Sequence, residues 1–185
     1  MENAVRTDEL YTIHDIEALP EGERAELIDG EMYMMASPKR SHQRLLLGLE
    51  HRISDYIDRH NGSCEVNIAP FAVFLNDDEY TYVEPDILVV CDPEKLDEDG
   101  CHGAPDWLIE VVSPSSVKMD YFLKLIKYRS AGVKEYWIVD PIKKQVVAYH
   151  LSEKENQESP DYYSFSDKVK AGLYEDLVID FGTLV

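Results

Sequence analysis

Three stretches of this chain, Asp86-Ile87-Leu88-Val89-Val90-Cys91, Trp107-Leu108-Ile109-Glu110-Val111-Val112 and Glu135-Tyr136-Trp137-Ile138-Val139-Asp140, are apolar and largely β-branched without alternating. A strand that does not alternate is covered on both faces, which requires a layer on each side of its sheet. Between the second and third stretches lies a helix-forming segment from about Val117 to Ala131. It carries Phe122, Leu125, Ile126 and Tyr128 on its apolar side and ends at Gly132. Strand, helix, strand over residues 106–140 implies a right-handed parallel crossover. The fold class predicted is α/β, a mixed central sheet flanked by helices.

The remaining segments fit around that frame. Glu9 to Leu19 reads as a short helix stopped by Pro20, and Asp29-Gly30 between two apolar runs reads as a tight hairpin. From Ser41 the positions Leu45, Leu46, Leu49, Ile53, Tyr56 and Ile57 recur at three and four, which predicts an amphipathic helix closed by Asn61-Gly62. Ala69 to Leu75 reads as a strand before the polar turn 76–79. Asp92 to Gly103 reads as a loop, and Gln145 to Leu151 as a fourth, alternating strand. One or two short strands are expected around Tyr162–Ser166 and Leu177–Ile179. A length of 185 residues suits a single domain over 1–185, with its core in about 9–150 and short C-terminal strands in 151–185.

The net charge of −19 weighs against a nucleic-acid partner, because two polyanions repel. The balance is uneven, however. Residues 36–63 hold five basic and three acidic side chains, and residues 113–144 hold seven and three, so both predicted long helices are net positive. No apolar run approaches the ~20 residues that cross a bilayer, and Met1–Arg6 lacks the layout of a secretory signal, so a cytoplasmic protein is expected. Three cysteines, Cys64, Cys91 and Cys101, without Cys-x-x-Cys spacing, predict free thiols rather than a disulfide framework. Cys101-His102 is only half a metal site.

Asp86 and Glu110 stand where strand logic calls for apolar residues. A charged group embedded in an apolar strand costs several kcal/mol unless it is paired, protonated or bound to a cation. Two such acids on neighbouring strands suggest a shared Mg²⁺ or Mn²⁺, since hard oxygens suit both ions. The alternative is that each acid meets solvent or a lysine at its strand end. On the helix, Asp120, Lys124 and either Lys127 or Tyr128 share a face. Lys124 can point back at the sheet's carboxylates, or Asp120 and Lys124 can form a surface pair worth about 0.3–0.5 kcal/mol.

The order of these residues resembles a family. Pro85-Asp86, then Glu110-Val111-Val112-Ser113-Pro114-Ser115, then Asp120, Lys124 and Tyr128, then Gly132 through Pro141, are similar to the Uma-type restriction endonucleases of the PD-(D/E)XK superfamily. Glu26-Leu27-Ile28-Asp29-Gly30-Glu31, Ser37-Pro38 and His42 extend the likeness upstream. The resemblance implies a restriction-endonuclease-like fold and divalent-metal-dependent cleavage of phosphodiester bonds, with nucleic acid as substrate. By position, Asp86 and Glu110 would be metal ligands and the Val111 carbonyl a third oxygen. The superfamily's lysine two residues after the acid is replaced by Val112, and the resemblance supplies it from the helix, as Lys124. Glu31, His42, Asp120 and Tyr128 would line the same pocket. Nucleases of this kind often pair, so a homodimer is an expectation. Two rival readings use the same residues: a non-catalytic interaction module on a nuclease-like fold, and a metal-dependent phosphatase or nucleotide hydrolase.

Overall fold

The computed structural model describes residues 10–152 and 159–184. Its centre is a six-stranded mixed sheet. In chain order the strands are β3 (Glu65–Ile68), β5 (Ile87–Val90), β7 (Trp107–Val111), β8 (Glu135–Asp140), β9 (Gln145–His150) and β10 (Asp161–Ser164), arranged β10-β9-β8-β7-β5-β3. Only β7 and β8 are parallel, joined by the expected helical crossover; every other pair is antiparallel. β5, β7 and β8 are buried along their whole lengths, as their unbroken apolar runs require.

One face of the sheet is covered by the helix α2 (Arg40–Arg59), which packs Leu45, Leu46, Leu49, Ile53 and Ile57 against Ile87, Val89, Trp107 and Trp137. The helix stops where Asn61 takes a left-handed φ of 50°. The opposite face buries Leu88, Val90, Leu108, Val112, Tyr136 and Ile138 beneath the crossover helix and the N-terminal hairpin. That hairpin pairs β1 (Ala25–Ile28) with β2 (Glu31–Met34). Its turn residues Asp29 and Gly30 have φ of 53° and 76°, the twist a two-residue hairpin needs. Before it stands the helix α1 (Ile13–Glu17), opened by a Thr12–Asp15 capping box; Glu9, the expected start, lies outside the described residues.

Several expectations need correction. Cys64 and Cys91 form a disulfide, and Cys101 is the free, buried thiol. The register Glu65↔Val90 explains the pairing, because one step further the antiparallel ladder sets Cys64 opposite Cys91. Cysteine count alone could not reveal that adjacency. Only Val73–Phe74 (β4) of the segment 69–75 is a strand; it runs parallel to β6 (Cys101–His102), inside the expected loop. Pro70 brings no N–H to a ladder, which limits pairing before it. The tail adds a second hairpin, β11 (Lys168–Lys170) with β12 (Val178–Asp180), and its Val169, Ile179 and Phe181 sit in the same core as the leucines of α2. The C-terminal residues therefore complete the core rather than trail from it. Among the described residues, no helix is long and apolar enough to cross a membrane.

The crossover helix departs most from its predicted face. A π-helical stretch, Met119–Lys124, leads into α3 (Leu125–Ala131), which ends at Gly132 with a φ of 96°. Asp120, Lys124 and Tyr128 point inward and are buried, whereas Phe122 and Ile126 are 63% and 60% exposed. The apolar pair was expected inside. The helix instead turns its polar residues to the sheet because the sheet offers them a buried partner.

Candidate active site

That partner is Glu110. The ladder between β5 and β7 pairs Ile87 with Ile109, so its next step sets Asp86 opposite Glu110 on adjacent strands. Side chains alternate along a strand, which places Glu110 on the face of Leu108 and Val112, toward the crossover helix. Asp86 immediately precedes β5, where its Oδ2 accepts a hydrogen bond from the Val111 amide at the end of β7, at 2.7 Å. Its own amide reaches Glu110 Oε2 at 3.4 Å.

Lys124 enters from the helix. Its Nζ lies 2.8 Å from Glu110 Oε1, 2.8 Å from Glu26 Oε1 and 3.9 Å from Asp120 Oδ1. The Tyr128 hydroxyl donates to the same Glu110 oxygen at 2.9 Å, and Ser116 donates to Asp120 Oδ2 at 2.6 Å. Asp120, Lys124 and Tyr128 recur every four residues and so form one inward row. A π-helical turn inserts extra backbone without a break, a device frequent at functional sites. Val112 packs in the apolar layer, 2% exposed, so the strand itself has no room there for an ammonium group.

Three carboxylates, Glu110, Glu26 and Asp120, thus gather around one ammonium, and Asp86 adjoins Glu110 from the next strand. Burial pushes the Glu110 carboxyl well above its usual range; Lys124 opposes that shift, while Asp120, Asp86 and Glu26 add to it. Burial likewise lifts Asp120 to about 6 against the pull of Lys124 and Ser116. For Lys124, desolvation acts against its charge, but Glu110, Glu26 and Asp120 outweigh it and hold the ammonium protonated. The cluster holds protons tightly because it is buried and, next, because negative charge is in excess, and such an excess suits a divalent cation. Asp86 Oδ1 has no hydrogen-bond partner among the described residues, and Glu110 Oε2 has only the long contact to the Asp86 amide. Two hard oxygens on facing strands, with a main-chain carbonyl beside them, fit Mg²⁺ or Mn²⁺, which keep several waters. No group of three or more His, Cys, Asp or Glu side chains among the described residues forms a ready ligand set, and Cys101-His102 is not part of one.

His42, in the first turns of α2, places Nε2 3.1 Å from Asp86 Oδ2. Burial disfavours its charged form, but Asp86 and the Val111 carbonyl more than compensate, so its pKa is raised. Its Nδ1 is buried without a partner. Of the residues singled out from the sequence, Asp86, Glu110, Val111, Lys124, His42, Asp120 and Tyr128 converge. Glu31 does not: it sits exposed on β2, accepting a bond from the Tyr33 hydroxyl at 2.8 Å. The acid of that segment which reaches the cluster is Glu26, buried on β1 and fixed by the Glu84 amide at 2.9 Å. Its signal was present, since Glu26 is a lone acid in the apolar run Ala25–Ile28, the same mark that singled out Glu110.

Comparison with known proteins bears on the family and the fold. Residues 9–178 match the family Uma2, described as "Putative restriction endonuclease". An uncharacterized protein of Synechocystis is 26% identical over 133 residues, covering 71% of this chain and 68% of that protein. A crystal structure from Anabaena variabilis, described as a putative nuclease belonging to DUF820, superposes with a TM-score of 0.74 at 19% identity. That match covers 94% of this chain and 96% of the other. The fold is therefore α/β of the restriction-endonuclease-like kind.

Proposed function

Because the chain belongs to the Uma2 family of restriction-endonuclease-like proteins, we propose that it is a metal-dependent nuclease that hydrolyses phosphodiester bonds. The observation that carries this reading is Lys124 bonded to Glu110 at 2.8 Å while Asp86 faces Glu110 from the next strand. An acid pair and a buried ammonium at one sheet edge are the groups such a reaction needs. Asp86, Glu110 and the Val111 carbonyl would hold Mg²⁺ or Mn²⁺. Once bound, the ion would lower the pKa of its water toward neutrality and offset phosphate charge.

The chain's own groups do the rest. Lys124, braced between Glu26 and Glu110, presents positive charge to the oxygens on which negative charge develops during phosphoryl transfer. Tyr128 fixes the Glu110 carboxylate through Oε1 and leaves Oε2 with only the long contact from the Asp86 amide. His42 and the Val111 amide hold Asp86 by Oδ2 and leave Oδ1 free. A homodimer would set two such sites against the two strands of a duplex, and the reading includes one.

The test is turnover of labelled oligonucleotides with Mg²⁺ or Mn²⁺ by the wild type and by Asp86→Asn, which keeps the side chain's shape and removes its charge. Cleavage by the wild type and loss of at least a hundredfold in the variant is expected. Turnover of mononucleotides with oligonucleotides untouched would assign a phosphatase or nucleotide hydrolase instead. No turnover of either would leave an interaction module. Light scattering in solution tests the dimer.

A further inference from the structure

The N-terminal end of α2 is built against the usual electrostatic preference of helices. Its N-cap is Lys39, which offers no side-chain cap; its first turn holds no acid, and Arg40 and Arg44 follow within five residues. Cations at a helix N-terminus oppose the macrodipole, typically by ~0.3–1 kcal/mol each. Lys39, Arg40 and Arg44 are all exposed. In a chain with 37 acids and 18 bases, an exposed base has acidic neighbours to spare. Arg59, Lys134, Lys143 and Lys168 each find one; Lys39, Arg40 and Arg44 form no ion pair among the described residues, as Lys118, Arg129, Lys144 and Lys170 form none, but only the first three fall within six consecutive positions. From Arg40 the stripe Arg40, Arg44, Leu47, His51 runs along one outward face, exposed throughout, and no acid interrupts it. His42, in the same turns, points the other way and touches Asp86 at 3.1 Å. Through His42 the turns that carry these cations adjoin Asp86 of the acid cluster.

A phosphodiester approaching that cluster meets four carboxylates on a protein of net charge −19. It can be held there only by a local concentration of positive charge. We propose that the outward face of the first turns of α2, Lys39, Arg40 and Arg44 with Leu47 beside them, grips the sugar–phosphate backbone of the nucleic acid and leads it to the Asp86–Glu110–Lys124 cluster. The assignment rests on the nuclease reading and adds its binding surface.

The experiment separates binding from cleavage. Equilibrium binding of a fluorescently labelled oligonucleotide is measured in EDTA over a range of KCl, for the wild type, for Arg40→Ala/Arg44→Ala, and for Lys168→Ala/Lys170→Ala, which makes the same change of net charge on β11. Each lost phosphate contact lowers the slope of log K against log salt by about 1. The α2 pair is therefore expected to flatten the slope by about 2 and to weaken binding roughly 25- to 60-fold at 0.1 M salt, from ~0.7–0.9 log units per contact. Its melting temperature should hold or rise, because alanine favours the helix and the macrodipole penalty is gone. An α2 variant that binds like the β11 control overturns the assignment even if the enzyme cleaves. A shift in oligomeric state confined to the α2 variant also overturns it, making the face a contact between copies. A wild type that binds with the expected slopes and never cleaves would refute the nuclease reading while this surface stands.

Discussion

Replacing Lys124 with methionine tests how the buried cluster is balanced. The substitution keeps an unbranched chain of similar length in a site where Lys124 is 4% exposed, so packing changes little and the ammonium is lost. Glu110 and Glu26 each lose a partner at 2.8 Å, and Asp120 loses one at 3.9 Å. Removing one partner of a buried ion pair costs about 3–5 kcal/mol. That cost must depend on pH. In the wild type, Asp120 titrates near 6, above its ordinary 3.8. A raised carboxyl contributes its stability fully below pH 3.8 and loses it as pH rises through 6, an effect of about 3 kcal/mol at 1.36 kcal/mol per unit. Without Lys124, the influence that lowers the pKa of Asp120 and of Glu110 disappears, and both are pushed higher. Protons then neutralise the carboxylates in acid, so the variant should lie close to the wild type at pH 5. At pH 8 it should be less stable by the full amount. Urea unfolding at the two pH values measures the difference directly. A Lys124→Met protein as stable as wild type at pH 8, or one whose deficit is equal at both pH values, would refute the claim that this ammonium balances the cluster.

Three further outcomes follow from other parts of the molecule. Millimolar Mg²⁺ or Mn²⁺ should raise the wild-type melting temperature, by the equivalent of about 2.7 kcal/mol at 100 times the dissociation constant, and should leave Asp86→Asn unmoved; an equal shift in both proteins would place the ion elsewhere. Asp106 is buried, and although burial favours its neutral form, Lys134 and the Cys91 amide hold its pKa below the ordinary value. Asp106→Asn should therefore cost about 1 kcal/mol above pH 3.8, the margin between a charged and a neutral hydrogen bond, and the deficit should vanish as pH falls through the lowered pKa; an acid melt of both proteins checks it. Cys64→Ser/Cys91→Ser opens a bridge that spans 27 positions, and chain entropy puts the loss at roughly 3.5 kcal/mol; unfolding free energies that coincide with the oxidised wild type would show that the bond contributes nothing.

Much of the fold was legible because burial on both faces leaves a distinct mark. The runs around 86–91, 107–112 and 135–140 read as central strands, and they are. The crossover helix misled because helical periodicity ranks positions by apolarity. Phe122 and Ile126 look like core residues until Glu110 is known to lie beneath the helix. Apolar pattern cannot anticipate a polar partner supplied by another strand. Glu31 misled for another reason: it shares a motif and, through the register Glu26↔Tyr33 and Ile28↔Glu31, even a face of the hairpin with Glu26, but it stands exposed beside the turn while Glu26, nearer the other end of β1, reaches Lys124. The disulfide was invisible because its two halves are 27 positions apart and meet only through the β3–β5 register.

An ammonium supplied from the helix, and not from the strand, makes the cluster depend on more of the fold. A lysine at position 112 would be placed by β7 alone, with Glu110 two residues away on the same face. Lys124 is placed by three separate elements: the π-helical turn that carries it, β7 through Glu110, and the N-terminal hairpin through Glu26. Its position is correct only when hairpin and crossover helix are both docked on the sheet, a docking also tied at the surface by Lys127 to Asp29 in the hairpin turn. The arrangement makes the ammonium a sensor of complete folding. A chain with its hairpin undocked would retain the Asp86–Glu110 pair but hold Lys124 by Glu110 and Asp120 alone, without the brace from Glu26. Damage to β1 is thereby felt at the acid cluster.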